Sequence, residues 1–137
     1  MNSAMLAVCQ QGDILSNAIM SSATFESLAD KQVLHLTTIG RVTGRPREIE
    51  IWFIVYHEKF YLFSERREAA GWVKNIRRNP NVSVRFGKCS VKAVARVLDY
   101  RKGRQLWDKV QVIAERKYGW GDGLPVEITP VETPRPE

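Results

Sequence analysis

The segment TTIGRVTGRPREIE, residues 37–50, concentrates side chains that bind anions. Arg41, Thr43, Arg45 and Arg47 stand two apart around glycines and a proline, between two apolar runs. Glycine lets a backbone turn tightly beside a ligand, and arginine makes bidentate hydrogen bonds to phosphate oxygens. The spacing therefore predicts a loop at a strand end that binds a phosphorylated ligand. A charged, solvent-exposed turn without a ligand accounts for the spacing equally well.

A second polar group follows the third predicted strand. The segment SERR (64–67) places Ser64, Arg66 and Arg67 where strand ends are expected to converge. The segment GWVKN then begins a helix, whose N-terminal amides favour an anion. Trp72 could cover a planar ring, although its helical spacing favours a core position. Asn75, about one turn later, offers an amide to a polar ring edge.

Composition limits the class of protein. With 137 residues, of which 44% are hydrophobic, the chain is long enough for one domain with a real core. The net charge is +6, and residues 41–104 hold 16 of the 21 Lys and Arg but only 6 of the 15 Asp and Glu. Such a basic middle favours an anionic partner: a phosphorylated small molecule, a nucleic acid or an anionic membrane surface.

No pattern in the sequence indicates a metal site, a set of catalytic residues or a membrane span. Two histidines, and two cysteines without C-x-x-C spacing, predict no metal site. No Ser-His-Asp set or pair of carboxylates stands at a suitable spacing, so no catalytic residue is assigned. The N-terminal apolar patch has no Lys or Arg before it, and no apolar run is long enough to span a bilayer. A cytoplasmic protein without membrane contact is expected.

The predicted elements alternate in the order β-β-β-α-β-β-α-β, after a short helix at 24–32. The strands are predicted at 33–39, 48–56, 60–64, 81–86, 89–98 and 124–132, and the later helices at 71–79 and 101–118. Short turns between consecutive strands indicate a mostly antiparallel sheet. Six strands in a small domain favour a closed or split β-barrel with helices packed outside. The expected organisation is an arm (1–23), the barrel domain (24–131) and a tail (132–137).

Three quoted segments together resemble one family. LTTIGRVTGRPR, FYLFS and GWVKNIRRNPNVSVRFG are similar to the deazaflavin-dependent nitroreductases, within the flavin-binding split-barrel oxidoreductases that include pyridoxamine-phosphate oxidase. The resemblance covers residues 33–98. It implies a mainly β split barrel of the FMN-binding type, often a homodimer, with coenzyme F-420 or FMN in a groove at the barrel edge. The implied reaction is hydride transfer to a small flat acceptor, a nitroaromatic compound or a quinone.

The same resemblance assigns roles to individual positions. It implies that Arg45 and Arg47, beside the hydroxyl of Thr43, meet the cofactor's phosphate or acidic tail. Residues 49–52, which include Ile51 and Trp52, would run along the ring. The remaining positions would support the phosphate or close the pocket: Ser64, Arg66, Arg67, Trp72 and Asn75. Independently of the resemblance, the aromatic bulk of Tyr118 and Trp120 makes them candidates for the substrate side of the pocket, and a structural role fits them at least as well.

The chain departs from the family pattern at several positions. Val42 and Glu65 stand where the family commonly has lysine, and Ile49 and Glu50 replace a Thr-Pro pair. Glu48 and Glu68 add further negative charge nearby. These departures disfavour a long acidic deazaflavin tail and keep FMN open as the cofactor.

Two other functions fit the same residues. A basic β-barrel with exposed aromatic residues could bind a nucleic acid through phosphate contacts and stacking. The arginines cluster at two strand ends, however, and no RNP-type or helix-turn-helix pattern is present, which disfavours that function. A cofactor-carrying protein without turnover is the third possibility.

Overall fold

Six β-strands and three α-helices form the regular structure of residues 22–131, the part of the chain that the computed structural model describes. The strands are β1 Val33–Ile39, β2 Pro46–Tyr56, β3 Lys59–Ser64, β4 Asn81–Phe86, β5 Cys89–Val97 and β6 Leu124–Pro130. The helices are α1 Ser22–Ala29, α2 Gly71–Arg78 and α3 Arg104–Tyr118, with a 3-10 turn at Arg67–Ala69. The predicted tail, and the predicted arm up to residue 21, lie outside the described residues.

Every predicted strand is present, and the differences lie at the ends of elements. β2 begins at Pro46, two residues earlier than expected, because Pro46 pairs with Ile39 at the first position of the strand, where proline is tolerated. β6 ends at Pro130 instead of residue 132. α3 begins at Arg104 instead of residue 101, directly after its N-cap Gly103.

The strands close into a barrel in the order β1-β2-β3-β6-β5-β4, and β4 returns to pair with β1. All six strand pairs are antiparallel. The expectation of a mainly β barrel of the split-barrel type is therefore confirmed.

One seam of the barrel is only partly closed. The ladder between β2 and β3 runs only from Phe53 opposite Leu62 to Tyr56 opposite Lys59. The first half of β2, Pro46 to Trp52, pairs with β1 on one side. On its other side it has no partner strand within residues 22–131. At its far end β3 remains paired with β6 but no longer with β2. Strands β2 and β3 therefore separate and leave a gap in the barrel wall.

Alternating residues fill the barrel. Leu34 and Leu36 are fully buried opposite Ile51 and Ile49, as a period of two requires. Helices α1 and α2 pack against this core, through Phe25 and Leu28 of α1 and Val73 and Ile76 of α2. This agrees with the expectation of a barrel with flanking helices.

Helix α3 packs on the outer wall of the barrel. Its buried residues Val110 and Ala114 contact a cluster that includes Ile54, Tyr61 and Phe63. The helix thereby brings its C-terminal end, at Tyr118, to the edge of the open seam. None of the helices in residues 22–131 has the length and apolar character needed to cross a membrane.

Candidate functional site

The loop between β1 and β2 is a tight, internally bonded turn. The Gly40 N–H donates to the Arg45 carbonyl at 2.8 Å, and the Gly44 N–H donates to the Gly40 carbonyl at 2.8 Å. Gly44 has φ +72°, and a Cβ on Gly40 would lie 2.9 Å from Thr43 Oγ1. Gly44 thus has the left-handed conformation that favours glycine, and Gly40 leaves room for the Thr43 hydroxyl. Thr43 Oγ1 accepts a bond from the Arg45 N–H at 3.1 Å, which leaves its own proton available to a ligand.

A buried amide ties this loop to α2. Asn75 Oδ1 accepts from the Arg41 backbone N–H at 3.1 Å and from Arg41 Nη1 at 2.9 Å. Asn75 Nδ2 donates to Thr38 Oγ1 at 3.0 Å. Arg41 Nη1 lies 3.3 Å from the Gly71 carbonyl oxygen, to which it also donates. The Asn75 amide is thus engaged within the protein, where it positions Arg41.

A cavity of about 440 Å³ lies between this loop, the start of β2 and α2. We call it the loop cleft. Its lining residues are Thr38, Gly40, Arg41, Val42, Thr43, Arg47, Ile49, Gly71, Trp72 and Asn75. Two arginines line it, and none of its described lining residues is acidic, so its potential favours an anion. Four of the predicted site residues meet here: Thr43, Arg47, Trp72 and Asn75.

A second cavity, of about 510 Å³, lies where β2 and β3 separate. We call it the strand gap. Its lining residues are Val33, Glu50, Ile51, Trp52, Phe63, Glu65 and Trp120. The predicted residues Ile51 and Trp52 are therefore found here. Aromatic and aliphatic walls with a few polar groups are typical of sites for planar ligands.

Aromatic contacts hold Trp52 in place at this gap. Its ring stacks on Tyr118 with centroids 4.3 Å apart and planes 6° from parallel, and Trp120 meets it edge-on at 6.3 Å. Trp52 is still 40% exposed. One face is therefore fixed by Tyr118, and part of the ring remains accessible.

Tyr118 is itself fixed by the backbone. Its hydroxyl accepts from the Phe53 N–H at 3.0 Å, and it lies 2.7 Å from the Phe53 carbonyl and 2.8 Å from the Gln32 carbonyl. Its single proton bonds one of these carbonyls at a time. Burial raises the pKa of Tyr118, against the opposing effect of the backbone bond, so the hydroxyl stays protonated.

Lys117 also contacts Phe53, beside Tyr118, and no pattern in the sequence indicated this role. Its Nζ donates to the Lys31 carbonyl at 2.7 Å and to the Phe53 carbonyl at 3.0 Å, and it lies 4.1 Å from the centre of the Phe53 ring. Burial lowers the pKa of Lys117 to about 8, although the charge of Asp30 acts in the opposite direction. A basic residue in the last turn of a helix is usually solvent-exposed, which hides this role in the sequence.

The two cavities are neighbours along β2. Ile49 lines the loop cleft and Ile51 lines the strand gap. These residues are two positions apart on one strand, which corresponds to roughly 7 Å. A ligand with an anionic end and a flat end therefore has adjacent places for both.

A family model described as F420H(2)-dependent quinone reductase matches residues 17–129. The chain belongs to this family. It is therefore an oxidoreductase of a deazaflavin-dependent family, and the resemblance found in the sequence is confirmed. A search of curated protein sequences found no significant match.

Solved structures of related fold agree with the barrel. The heme storage protein HutZ from Vibrio cholerae matches with a TM-score of 0.63 at 17% identity, covering 84% of this chain and 93% of its own. An FAD-binding protein from Mesorhizobium loti matches with a TM-score of 0.61 at 17% identity, covering 82% and 91%. An F420-H2 dependent reductase matches with a TM-score of 0.54 at 24% identity, covering 72% and 93%. At these identities the likeness concerns the fold.

Four other predicted site residues of this reductase-family chain lie outside the walls of both cavities. Ser64 is buried, and its hydroxyl donates to the Arg67 carbonyl at 2.9 Å. Arg67 has φ +53°, and its side chain donates to the Asp122 carbonyl at 2.7 Å. Arg66 and Arg45 are exposed. The turn that follows β3 thus directs Arg67 away from the loop cleft.

The acidic residues that distinguish this chain from the family pattern also lie outside the loop cleft. Glu48 receives two bonds from Arg85, both at 3.1 Å, and these lower the pKa of its carboxyl. Glu50 lies 3.5 Å from His35 Nε2 and lines the strand gap together with Glu65. Glu68 lines a separate cavity. The walls of the loop cleft therefore contain no carboxylate among the described residues.

Proposed function

We propose that the protein binds coenzyme F-420 along β2, with the phosphate in the loop cleft and the ring in the strand gap. We propose that it uses the coenzyme to reduce a small flat acceptor, a quinone or a nitroaromatic compound. The observation that carries this proposal is the adjacency of the two cavities along one strand. Family membership supports the same cofactor class.

The residues of the loop cleft fit a phosphate. Arg41 is held by Asn75, so little side-chain freedom is lost when it meets an anion. Arg47 lines the same cleft and makes no ion pair with any carboxylate in residues 22–131. The hydroxyl of Thr43 adds a neutral donor. Charge-assisted hydrogen bonds of this kind contribute about 1.5–3 kcal/mol each.

The strand gap fits a planar ring. Trp52 and Trp120 provide aromatic surface, and the unpartnered edge of β2 offers backbone N–H and C=O groups to the polar edge of a ring. When bound, the coenzyme supplies the hydride chemistry, and the protein supplies orientation and a partly dry environment. No side chain is assigned as a proton donor or acceptor.

FMN is the second candidate cofactor. Val42, 89% exposed on the loop, and Glu65, at the strand gap, both stand where the family commonly has lysine. The loss of two cations weakens the site for a long acidic tail more than for a single phosphate. This favours a cofactor with a short anionic chain.

We also propose that the protein is a cytoplasmic homodimer and that residues 24–131 form its barrel domain. Split-barrel oxidoreductases often form dimers, and here the outer face of β1 and β2 leaves Trp52 and Glu50 exposed. Sedimentation velocity of the full chain tests this assembly. A single species of monomer mass at micromolar concentration would refute it.

The test of cofactor class is a fluorescence titration of the full-length protein with coenzyme F-420 and, separately, with FMN. Saturable binding of F-420 that exceeds binding of FMN supports the first proposal. The reverse order selects the second candidate. Binding of neither by a folded sample refutes both. A nucleic-acid titration at several salt concentrations would then follow, because phosphate contacts weaken steeply with salt.

A further inference from the structure

A third cavity, of about 770 Å³, lies between the connection from β5 to α3 and the turn that precedes α2. We call it the rear cavity. Five cationic side chains line it: Arg67, Arg77, Arg96, Arg101 and Lys102. The acidic residues among its lining are Glu68 and Asp99. The proposed cofactor site uses none of these residues.

Three of the cations have acidic neighbours, and for two of them, Arg67 and Arg77, the ion pair is weak. Arg67 lies 3.7 Å from the carboxylate of Asp122, whose side chain is 80% exposed, and Arg77 lies 4.0 Å from that of Glu68. Exposed ion pairs at such distances contribute little, so an anionic ligand can replace them. Arg96 is different, because its Nε donates at 3.0 Å to the buried Glu127. It is fixed in place at the cavity wall.

Two further cations have no such neighbour. The side chains of Arg101 and Lys102 make no hydrogen bond or ion pair within residues 22–131. Their backbone is held, since the N–H groups of Lys102 and Gly103 both donate to the Asp99 carbonyl at 3.0 Å. The Asp99 carboxylate accepts from the Arg101 N–H at 3.0 Å. The connection thus presents two cations at the cavity from an ordered turn.

The rear cavity also has an apolar part. Leu98, Leu106 and Trp107 line it, and Trp107 meets Tyr100 edge-on with ring centroids 5.4 Å apart. Cavities of about 300–1,000 Å³ accept ligands of nucleotide or drug size. The wall therefore combines several cations with surface suited to a flat, apolar group.

We propose that the rear cavity is a second binding site, for a small molecule that carries two or more phosphate or carboxylate groups and a flat apolar portion. Arg101 and Lys102 contact the anionic groups, Arg67 and Arg77 supplement them, and Trp107 contacts the flat portion. The site is separate from the loop cleft, and its existence does not depend on the cofactor assignment.

The test is isothermal titration calorimetry of the full-length, F-420-free protein at low ionic strength. The probes are ADP, inorganic pyrophosphate and citrate. We expect saturable binding that persists in the Arg47→Ala variant, with ADP bound more tightly than pyrophosphate because only ADP has a ring. Citrate distinguishes carboxylate from phosphate recognition. The double variant Arg101→Ala/Lys102→Ala should raise the Kd of the best probe about ten-fold or more.

Two controls make the result specific. Lys88→Ala/Lys92→Ala removes the same charge from exposed positions of the β4–β5 hairpin, outside the cavity, and should change the Kd by less than about two-fold. Arg47→Ala alters the loop cleft and should leave the Kd unchanged. The proposal is overturned if no probe binds saturably, if both double variants lose affinity equally, or if Arg47→Ala abolishes binding.

Discussion

Asn75 Oδ1 accepts two hydrogen bonds from Arg41, one from the backbone N–H at 3.1 Å and one from Nη1 at 2.9 Å. A single amide on α2 therefore fixes a loop residue that lies 34 positions earlier in the chain. The loop that presents Thr43 and Arg47 is consequently set in shape before any ligand arrives. Such preorganisation reduces the entropy that binding would otherwise cost.

The first prediction concerns the hydrogen bonds of the Asn75 side chain. Asn75→Ala leaves the buried Thr38 hydroxyl and the Arg41 N–H without their partner, so it should lower the free energy of unfolding by about 1–3 kcal/mol. Urea denaturation measures this. Asn81→Ala, at the exposed start of β4, is the control and should cost less than about 0.5 kcal/mol. Equal stability of the two variants would show that the hydrogen bonds of Asn75 contribute nothing to the free energy of unfolding.

The second prediction separates two arginines that the sequence treats alike. Arg47 lines the loop cleft, whereas Arg45 is exposed and does not. Arg47→Ala should therefore weaken binding of coenzyme F-420 by about 1.5–3 kcal/mol, and Arg45→Ala by less than about 1 kcal/mol. Fluorescence titration of both variants provides the comparison. Unchanged affinity in Arg47→Ala would mean that the loop is only a charged turn.

The third prediction concerns the support of Trp52. Tyr118→Phe removes the hydroxyl that bonds Phe53 but keeps the stacked ring, and should cost about 1–3 kcal/mol of stability. Tyr118→Ala also removes the stack, so it should cost more and should weaken cofactor binding as well. Thermal or urea unfolding, combined with F-420 titration, separates the two effects. If Tyr118→Phe loses as much affinity as Tyr118→Ala, the stack is not what orients Trp52.

The fourth prediction is a pH dependence that arises from Lys117. Its pKa is about 8 in the folded protein against an ordinary value of 10.5, so between these pH values the unfolded state binds more protons. Stability must then rise with pH across this window, since unfolding takes up a proton. We expect the unfolding free energy of the wild type, relative to Lys117→Met, to increase from pH 8 to pH 10.5. A constant difference would contradict the assigned pKa.

The strands could be predicted because their pattern is local. Alternation such as Leu34 and Leu36 on one side and His35 on the other is visible in a single segment. The strand gap could not be predicted. It depends on β2 pairing with β1 over its first half and with β3 over its second, and that register is a property of three strands together. The packing of α1 and α2 against the barrel core is non-local in the same sense.

The β1–β2 loop of the candidate site could be predicted, whereas the contacts of Asn75 and Arg67 could not. The glycines and arginines of the β1–β2 loop indicate an anion site because their chemistry is specific. The internal role of Asn75 depends on Arg41 and Thr38 meeting it from another element, which no spacing shows. The direction of the Arg67 side chain depends on its positive φ and on the hydrogen bond from Ser64 to its carbonyl. Neither is visible in the sequence, so Arg67 was assigned to the cofactor phosphate and not to the rear cavity that it lines.

The most direct measurement is the oxidation of reduced coenzyme F-420 by a water-soluble quinone under anaerobic conditions, with and without the protein. We expect the visible absorbance of the oxidised coenzyme to return many times faster with the wild type than without protein. Arg47→Ala should slow this at subsaturating coenzyme, in proportion to its lost affinity. A protein that binds F-420 but leaves the rate at the protein-free level, with a quinone and with a nitroaromatic acceptor, would contradict the account and indicate a carrier without turnover.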